Sequence, residues 1–224
     1  LGDLLQGATE VLDEAGATLV GGHTTEGPEL AFGLSVHGYV APGQLLRKGG
    51  MRAGDHLIVT KPIGTGAIFA AAMRGAARGP WIDGAIDSML VGNGPAMETF
   101  RRHGATASTD VTGFGLAVHL GEMAQASKRD VKIDLGAVPL LEGALELSEA
   151  GVRSTLYPEN AGRGRALGVE PLEHPAYALL FDPQTAGGLL ASVPADRSGR
   201  CVEDLRSAGY ARAAVIGTVL YGTR

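Results

Sequence analysis

The stretch Asp110-Val-Thr-Gly-Phe-Gly115 puts an acid at a predicted strand end, followed at once by a tight glycine turn and a helix-like run, Leu116–Met123. A carboxylate able to hold a hard cation then lies beside backbone N–H groups able to hold an anion, so metal plus phosphate is the first chemistry to consider. Mg²⁺ commonly takes one or two protein carboxylates together with phosphate oxygens, and Asp110 can supply one such ligand. Thr112 can cap the helix that follows, and Gly113 and Gly115 allow close backbone approach. An N-capping turn without a ligand accounts for the same residues.

Two further glycine-rich strings carry polar groups. Gly21-Gly22-His23-Thr24-Thr25 offers a run of N–H groups and two hydroxyls between two predicted strands. A loop selected for positive φ explains it equally well. Asp182-Pro-Gln-Thr-Ala-Gly-Gly188 joins two predicted strands and presents Asp182, Gln184 and Thr185, but a structural hairpin would use the same residues. Lys61, in Val59-Thr-Lys-Pro-Ile-Gly-Thr-Gly66, stands where a strand hands over to a helix. It could meet a phosphate, although an isolated lysine is more commonly solvated. The P-loop, the dinucleotide fingerprint, the H-E-x-x-H metalloprotease pattern and the G-x-S-x-G nucleophile elbow are all missing from the string. Cys201 falls in a predicted helix among ordinary surface residues, with no activating neighbour, and reads as structural.

These strings need elements to hold them. Leu4, Leu5, Ala8, Val11 and Leu12 share a helical face over residues 3–15, stopped at Gly16. Residues 17–20 and 30–40 read as strands, and Pro42-Gly43 and Gly49-Gly50 bracket a linker. Beyond it the pattern predicts strands over 55–60, 105–111, 131–135, 177–181, 189–193 and 213–220. Helices are predicted over 64–77, 85–102, 114–126, 140–150 and 198–208. Residues 153–175, punctuated by Pro158, Gly162, Gly164, Gly168, Pro171 and Pro175, read as a long irregular loop. Helices and strands mix throughout, so the class is α/β or α+β.

The totals narrow the options. The 224 residues, 45% of them apolar, suffice for one large domain or two small ones. The 35 glycines are about twice ordinary usage and, lacking any period, serve turns and close approaches. A net charge of −5 argues against general nucleic-acid binding. One cysteine excludes an intrachain disulfide framework and fits a cytoplasmic setting. No apolar run reaches the roughly 18 residues of a membrane helix. The string starts at Leu1 in mid-pattern and reads as a piece of something longer.

Taken together, Val20–Thr24 with Pro28-Glu29 and Phe32-Gly33, Leu57–Gly66, Ser108–Gly115 and Asp182–Leu190 resemble selenophosphate synthetase, that is selenide, water dikinase. Aminoimidazole ribonucleotide synthetase, thiamine-phosphate kinase and the hydrogenase maturation protein HypE share a looser pattern. The resemblance implies a homodimeric, ATP- and Mg²⁺-dependent enzyme making selenophosphate, AMP and phosphate from ATP, selenide and water. It implies that residues 1–45 are the tail of an N-terminal ATP-binding and dimerisation domain, and that 46–224 form a C-terminal domain with a mixed sheet under helices. Asp110 would bind magnesium, and Gly21, Gly22, His23 and Thr24 would meet ATP phosphates. Lys61, Thr112, Asp182, Gln184 and Thr185 would line the cleft. The family's reactive cysteine or selenocysteine, with its neighbouring lysine and further metal-binding acids, has no counterpart here, so the catalytic residues are expected upstream and the chain alone is expected to be inactive. Two other readings stay open: a non-catalytic nucleotide-binding or assembly module, and a related ATP enzyme with another acceptor.

Overall fold

The structure, a computed structural model, describes residues 1–222. The chain divides into two compact units, Leu1–Gly43 and Gln44–Arg224.

The first unit opens with helix α1, Gly2–Glu14, ended by Gly16 in the left-handed region. Its apolar stripe is open to solvent, with Leu4 40%, Leu5 42% and Val11 64% exposed. The strands expected over 17–20 and 30–40 are absent among the described residues. Their alternation is real, with Phe32, Leu34 and Val36 in step. A strand, however, exists only through ladder bonds to a neighbour, and these segments make none.

The second unit is built on a five-stranded sheet in the order β2-β4-β1-β5-β3. The strands are β1 (His56–Val59), β2 (Ala107–Asp110), β3 (Asp130–Ile133), β4 (Leu189–Val193) and β5 (Ala214–Leu220). Every pairing is antiparallel, so the expected mixed sheet is corrected; the parallel contact is an isolated bridge between Ile63 and Leu140. Both faces are covered. Leu57, Val59 and Leu190 join the larger core with α2 (Thr65–Ala72), α3 (Gly79–Leu90), α5 (Leu116–Ser127), α6 (Ala144–Glu149) and α7 (Tyr157–Ala166). Ile58, Leu189, Ala191 and Val193 point the other way, against α4 (Gly94–Arg102) and α9 (Ala195–Ser207). Burial on both faces is why β1 and β4 read as continuous apolar runs rather than as alternating ones. Helix α9, covering one face only, is amphipathic: Ser198, Cys201, Val202 and Leu205 are its buried residues.

Three expectations are revised here. The single helix predicted over 85–102 is two, α3 and α4, because Val91 is extended and Pro95 restarts the helix in a first turn, where its missing N–H costs nothing. The loop predicted over 153–175 contains α7, whose Pro158 also occupies a first turn. Its Gly164 lies directly under the Phe181 ring, where a side chain would collide. The strand predicted over 177–181 overlaps the short helix α8 (Pro175–Leu179), capped by His174 Nδ1 accepting from the Ala176 N–H at 3.1 Å. Among the described residues, no helix is long and apolar enough to cross a membrane.

Candidate functional site

Antiparallel order β2-β4-β1 brings the C-terminal ends of β1 and β2 to the N-terminal end of β4. Three of the strings singled out by sequence therefore meet at one edge of the sheet: Thr60–Gly66 after β1, Asp110–Gly115 after β2, and Asp182–Gly188 before β4.

The 182–188 string clamps the start of α2. A helix leaves its first N–H groups without intrahelical partners. Here Gln184 Oε1 accepts from the N–H of Gly64 at 2.9 Å and of Thr65 at 3.3 Å, while the Pro183 carbonyl accepts from the Gly66 N–H at 3.1 Å. Thr65 Oγ1 in turn accepts from the Thr185 N–H at 3.0 Å. Gln184 Nε2 donates to the Asp182 carbonyl at 2.7 Å and to its carboxylate at 3.0 Å. Asp182 also accepts from the backbone N–H groups of Gly66 and Ala67. Those hydrogen bonds and the helix N-terminus favour the carboxylate, yet burial outweighs them and pushes its pKa up to about 6.

Lys61 belongs to the same clamp. It is 4% exposed, and its Nζ donates to the Ala186 carbonyl at 3.0 Å. Burial lowers its pKa, and the expectation of a solvated lysine is corrected. Thr60 Oγ1 accepts from the Leu189 N–H at 2.8 Å, and the Thr60 N–H donates to the Leu189 carbonyl at 3.0 Å. Atoms of Thr60 and Lys61 also border a surface cavity of about 330 Å³ whose other walls include Asp87, Ser88, Glu142 and Arg212 but not Asp110.

Asp110 ends β2, paired with Leu189, and is exposed. Its carboxylate makes no ion pair among the described residues. The turn after it is held on several sides. Val111 N–H donates to the Gly188 carbonyl at 2.9 Å, and the Thr112 carbonyl accepts from the Gln184 N–H at 3.0 Å. Asn160 Nδ2 donates to the Gly113 carbonyl at 2.9 Å. The backbone leading away from Asp110 is therefore immobilised, while the carboxylate itself is free.

Residues 52–224 match the family described as AIR synthase related protein, C-terminal domain. The chain belongs to that family.

Within it, the chain is 36% identical over 98% of its length to a selenide, water dikinase of Clostridioides difficile and 39% identical over 97% to one of Bdellovibrio bacteriovorus. It spans 64% and 63% of the lengths of these relatives. Among solved structures it resembles thiamine-monophosphate kinase from Stenotrophomonas maltophilia (TM-score 0.57, 19% identity, 82% of this chain and 52% of that one). It also resembles hydrogenase maturation protein HypE in complex with ATP (TM-score 0.54, 20% identity, 79% and 45%). At these identities the likeness is one of fold.

In this AIR synthase related chain, Asp110, Thr112, Lys61, Asp182, Gln184 and Thr185 are gathered by the sheet edge. Gly21, Gly22, His23 and Thr24 belong to the first unit, in exposed chain outside any regular element. No group of three or more His, Cys, Asp or Glu side chains able to hold a metal occurs among the described residues, so Asp110 has no such cluster around it. Cys201 is buried and its thiol pKa is pushed up to about 12 by burial, in keeping with a structural role.

Sequence reasoning passed over several residues. Asn93 Nδ2 donates to the Gly187 carbonyl at 2.9 Å from the break between α3 and α4, a break the helical periodicity had hidden. Asn160 lies in the stretch whose prolines and glycines read as a loop. His119 and Glu122, three apart on α5, were legible as neighbours on one face. Lys48, which pairs with Glu122 from 74 residues away, left no local signal.

Proposed function

We propose that this chain forms part of an ATP-dependent selenophosphate synthetase, which converts ATP, selenide and water into selenophosphate, AMP and phosphate. The observation that carries the reading is the identity of 36–39% over nearly the whole chain to relatives named selenide, water dikinase. The site geometry supports it. Phosphoryl transfer needs positioning and charge neutralisation more than covalent chemistry from the protein. Asp110 offers a free carboxylate on an immobilised turn, and Mg²⁺ accepts one such ligand while taking its remaining oxygens from phosphates and water. When bound, the ion would neutralise polyphosphate charge. Gly21, Gly22, His23 and Thr24 are assigned to ATP phosphates through their unpaired backbone and side-chain donors. Thr112 and Thr185 border the same sheet edge, whereas Lys61, Asp182 and Gln184 serve by holding it rigid. The reacting groups come from outside these residues, and the working enzyme is a cytoplasmic homodimer.

Phosphorus NMR on the full-length natural polypeptide containing these residues, with ATP, Mg²⁺ and selenide under anaerobic reducing conditions, tests the reading. A selenophosphate signal with stoichiometric AMP is expected. A folded protein that binds Mg-ATP yet yields no new signal would replace this reading with that of a nucleotide-binding module or of an enzyme with another acceptor.

A further inference from the structure

Thr112 carries the turn's hydroxyl two residues after Asp110, and its partner is a histidine. His119 Nε2 lies 3.3 Å from Thr112 Oγ1, and the imidazole is 4% exposed, packed against the Phe114 ring with centroids 5.7 Å apart. Its other nitrogen, Nδ1, is buried without a hydrogen-bond partner and sits 3.6 Å from Glu122 Oε2. Glu122 is paired in turn with Lys48. A row of side chains, Lys48–Glu122–His119–Thr112, thus runs from the segment before β1 to the turn after Asp110.

The order of groups favours one tautomer. With the Glu122 carboxylate 3.6 Å from Nδ1, the tautomer that carries its hydrogen on Nδ1 is favoured, and in it Nε2 is an acceptor. The Thr112 hydroxyl must then donate to Nε2, and its oxygen lone pairs are turned away from the ring. Burial, the largest influence on this imidazole, lowers its pKa and so disfavours the doubly protonated ring. A protonated Nε2 would instead donate to Thr112 and release its hydroxyl hydrogen. The backbone of the turn is already fixed by Gly188, Gln184 and Asn160, so the hydroxyl is the freedom that remains.

We infer that His119, through Thr112, is a positioning residue that fixes which oxygens the turn presents beside the Asp110 carboxylate to a bound divalent cation. This rests on the assignment of Asp110 proposed above. Residues that orient a metal ligand without touching the metal ordinarily change affinity by about 10–100-fold when replaced.

The test is Mn²⁺ binding, followed by electron paramagnetic resonance on the full-length polypeptide with ADP, beside thermal unfolding of each variant. His119→Leu keeps the bulk and removes both nitrogens; it is expected to weaken Mn²⁺ binding about tenfold. His119→Gln restores an acceptor for the Thr112 hydroxyl and should recover most of that loss at an unfolding midpoint equal to that of His119→Leu. Thr112→Val should reproduce the His119→Leu defect, and the double variant should add nothing. Wild-type affinity in His119→Leu, with weakened binding in Asp110→Asn, overturns the role of His119 alone. Undiminished binding in Asp110→Asn overturns the metal assignment and this inference with it. If His119→Gln fails to rescue while Thr112→Val binds normally, the histidine is packing only.

Discussion

Two glycine-rich strings in this chain look alike on paper and are opposites in structure. Gly21-Gly22-His23-Thr24 and Asp182–Gly188 both combine glycines with hydroxyls or amides. In the first, an added Cβ at Gly21 or Gly22 meets nothing within 4 Å, and the residues are exposed. In the second, almost every polar group is spent on the fold: Gln184 on the start of α2, Asp182 on Gln184 and α2, and the Ala186 carbonyl on Lys61. A glycine-rich string presents donors to a ligand only when its own fold has not used them. Here the most specific-looking string is a clamp, and the plainer one keeps its donors.

Substitutions should separate the two sharply. The largest effect is expected from Gly187→Ala, whose Cβ would run into the Val111 carbonyl oxygen and press on Gln184. A loss of about 3–5 kcal/mol or failure to fold is expected in denaturant titration, because backbone is met rather than a flexible side chain. Asp110→Asn should leave stability unchanged and lower selenophosphate formation by the full-length polypeptide at least about 100-fold, in line with loss of one preorganised electrostatic contact. Equal activity would detach Asp110 from the chemistry. Gln184→Leu removes the acceptor shared by the Gly64 and Thr65 N–H groups and should cost about 2 kcal/mol.

The clamp also carries a pH signature. The folded-state pKa of Asp182 is raised to about 6 from an ordinary 3.8, so the native state holds its proton more tightly than the unfolded chain. Stability contributed by the protonated acid is present below the unfolded value and is lost as pH rises through about 6. Asp182→Asn keeps the acceptor and cannot ionise. Relative to wild type it should therefore gain on the order of 1–3 kcal/mol between pH 4 and pH 7. Parallel pH profiles for the two proteins would remove the assignment. The smallest stability effect is expected at Gly22→Ala, within about 0.5 kcal/mol. Its effect should appear instead as weaker Mg-ATP binding by the full-length polypeptide, about fivefold, or about 1 kcal/mol. A stability loss as large as that of Gly187→Ala would make both strings structural.

Much of the second unit was legible because local patterns carried it. The apolar runs of β1 and β4 and the amphipathic spacing of α9 survive in any environment that buries them. Residues 157–166 read as loop because prolines and glycines count as breakers, whereas Pro158 stands in a first turn and Gly164 is required by the Phe181 ring. Residues 177–181 read as a strand for a different reason: a short apolar run does not by its periodicity distinguish a strand from a buried helix such as α8. Residues 30–40 failed in the opposite sense. Their alternation describes a strand that pairs with nothing among the described residues. Of the candidate site, Asp110 and its glycine turn were visible in sequence, whereas Asn93, Asn160 and Lys48 were not, since each acts on a partner far along the chain.

The sequence by itself determined that an acid would end a strand before a glycine turn, that helices and strands would mix, and that the four strings resemble a selenophosphate synthetase. Those properties follow from short-range periodicity and from residue types at fixed spacing. Only the tertiary structure decided that Gln184 would satisfy Gly64, 120 residues away, that Lys61 would be buried against Ala186, and that the Asp110 carboxylate would make no ion pair among the described residues. A hydrogen-bonding group has a limited number of partners, and which donors remain for a ligand is known once the fold has taken its share.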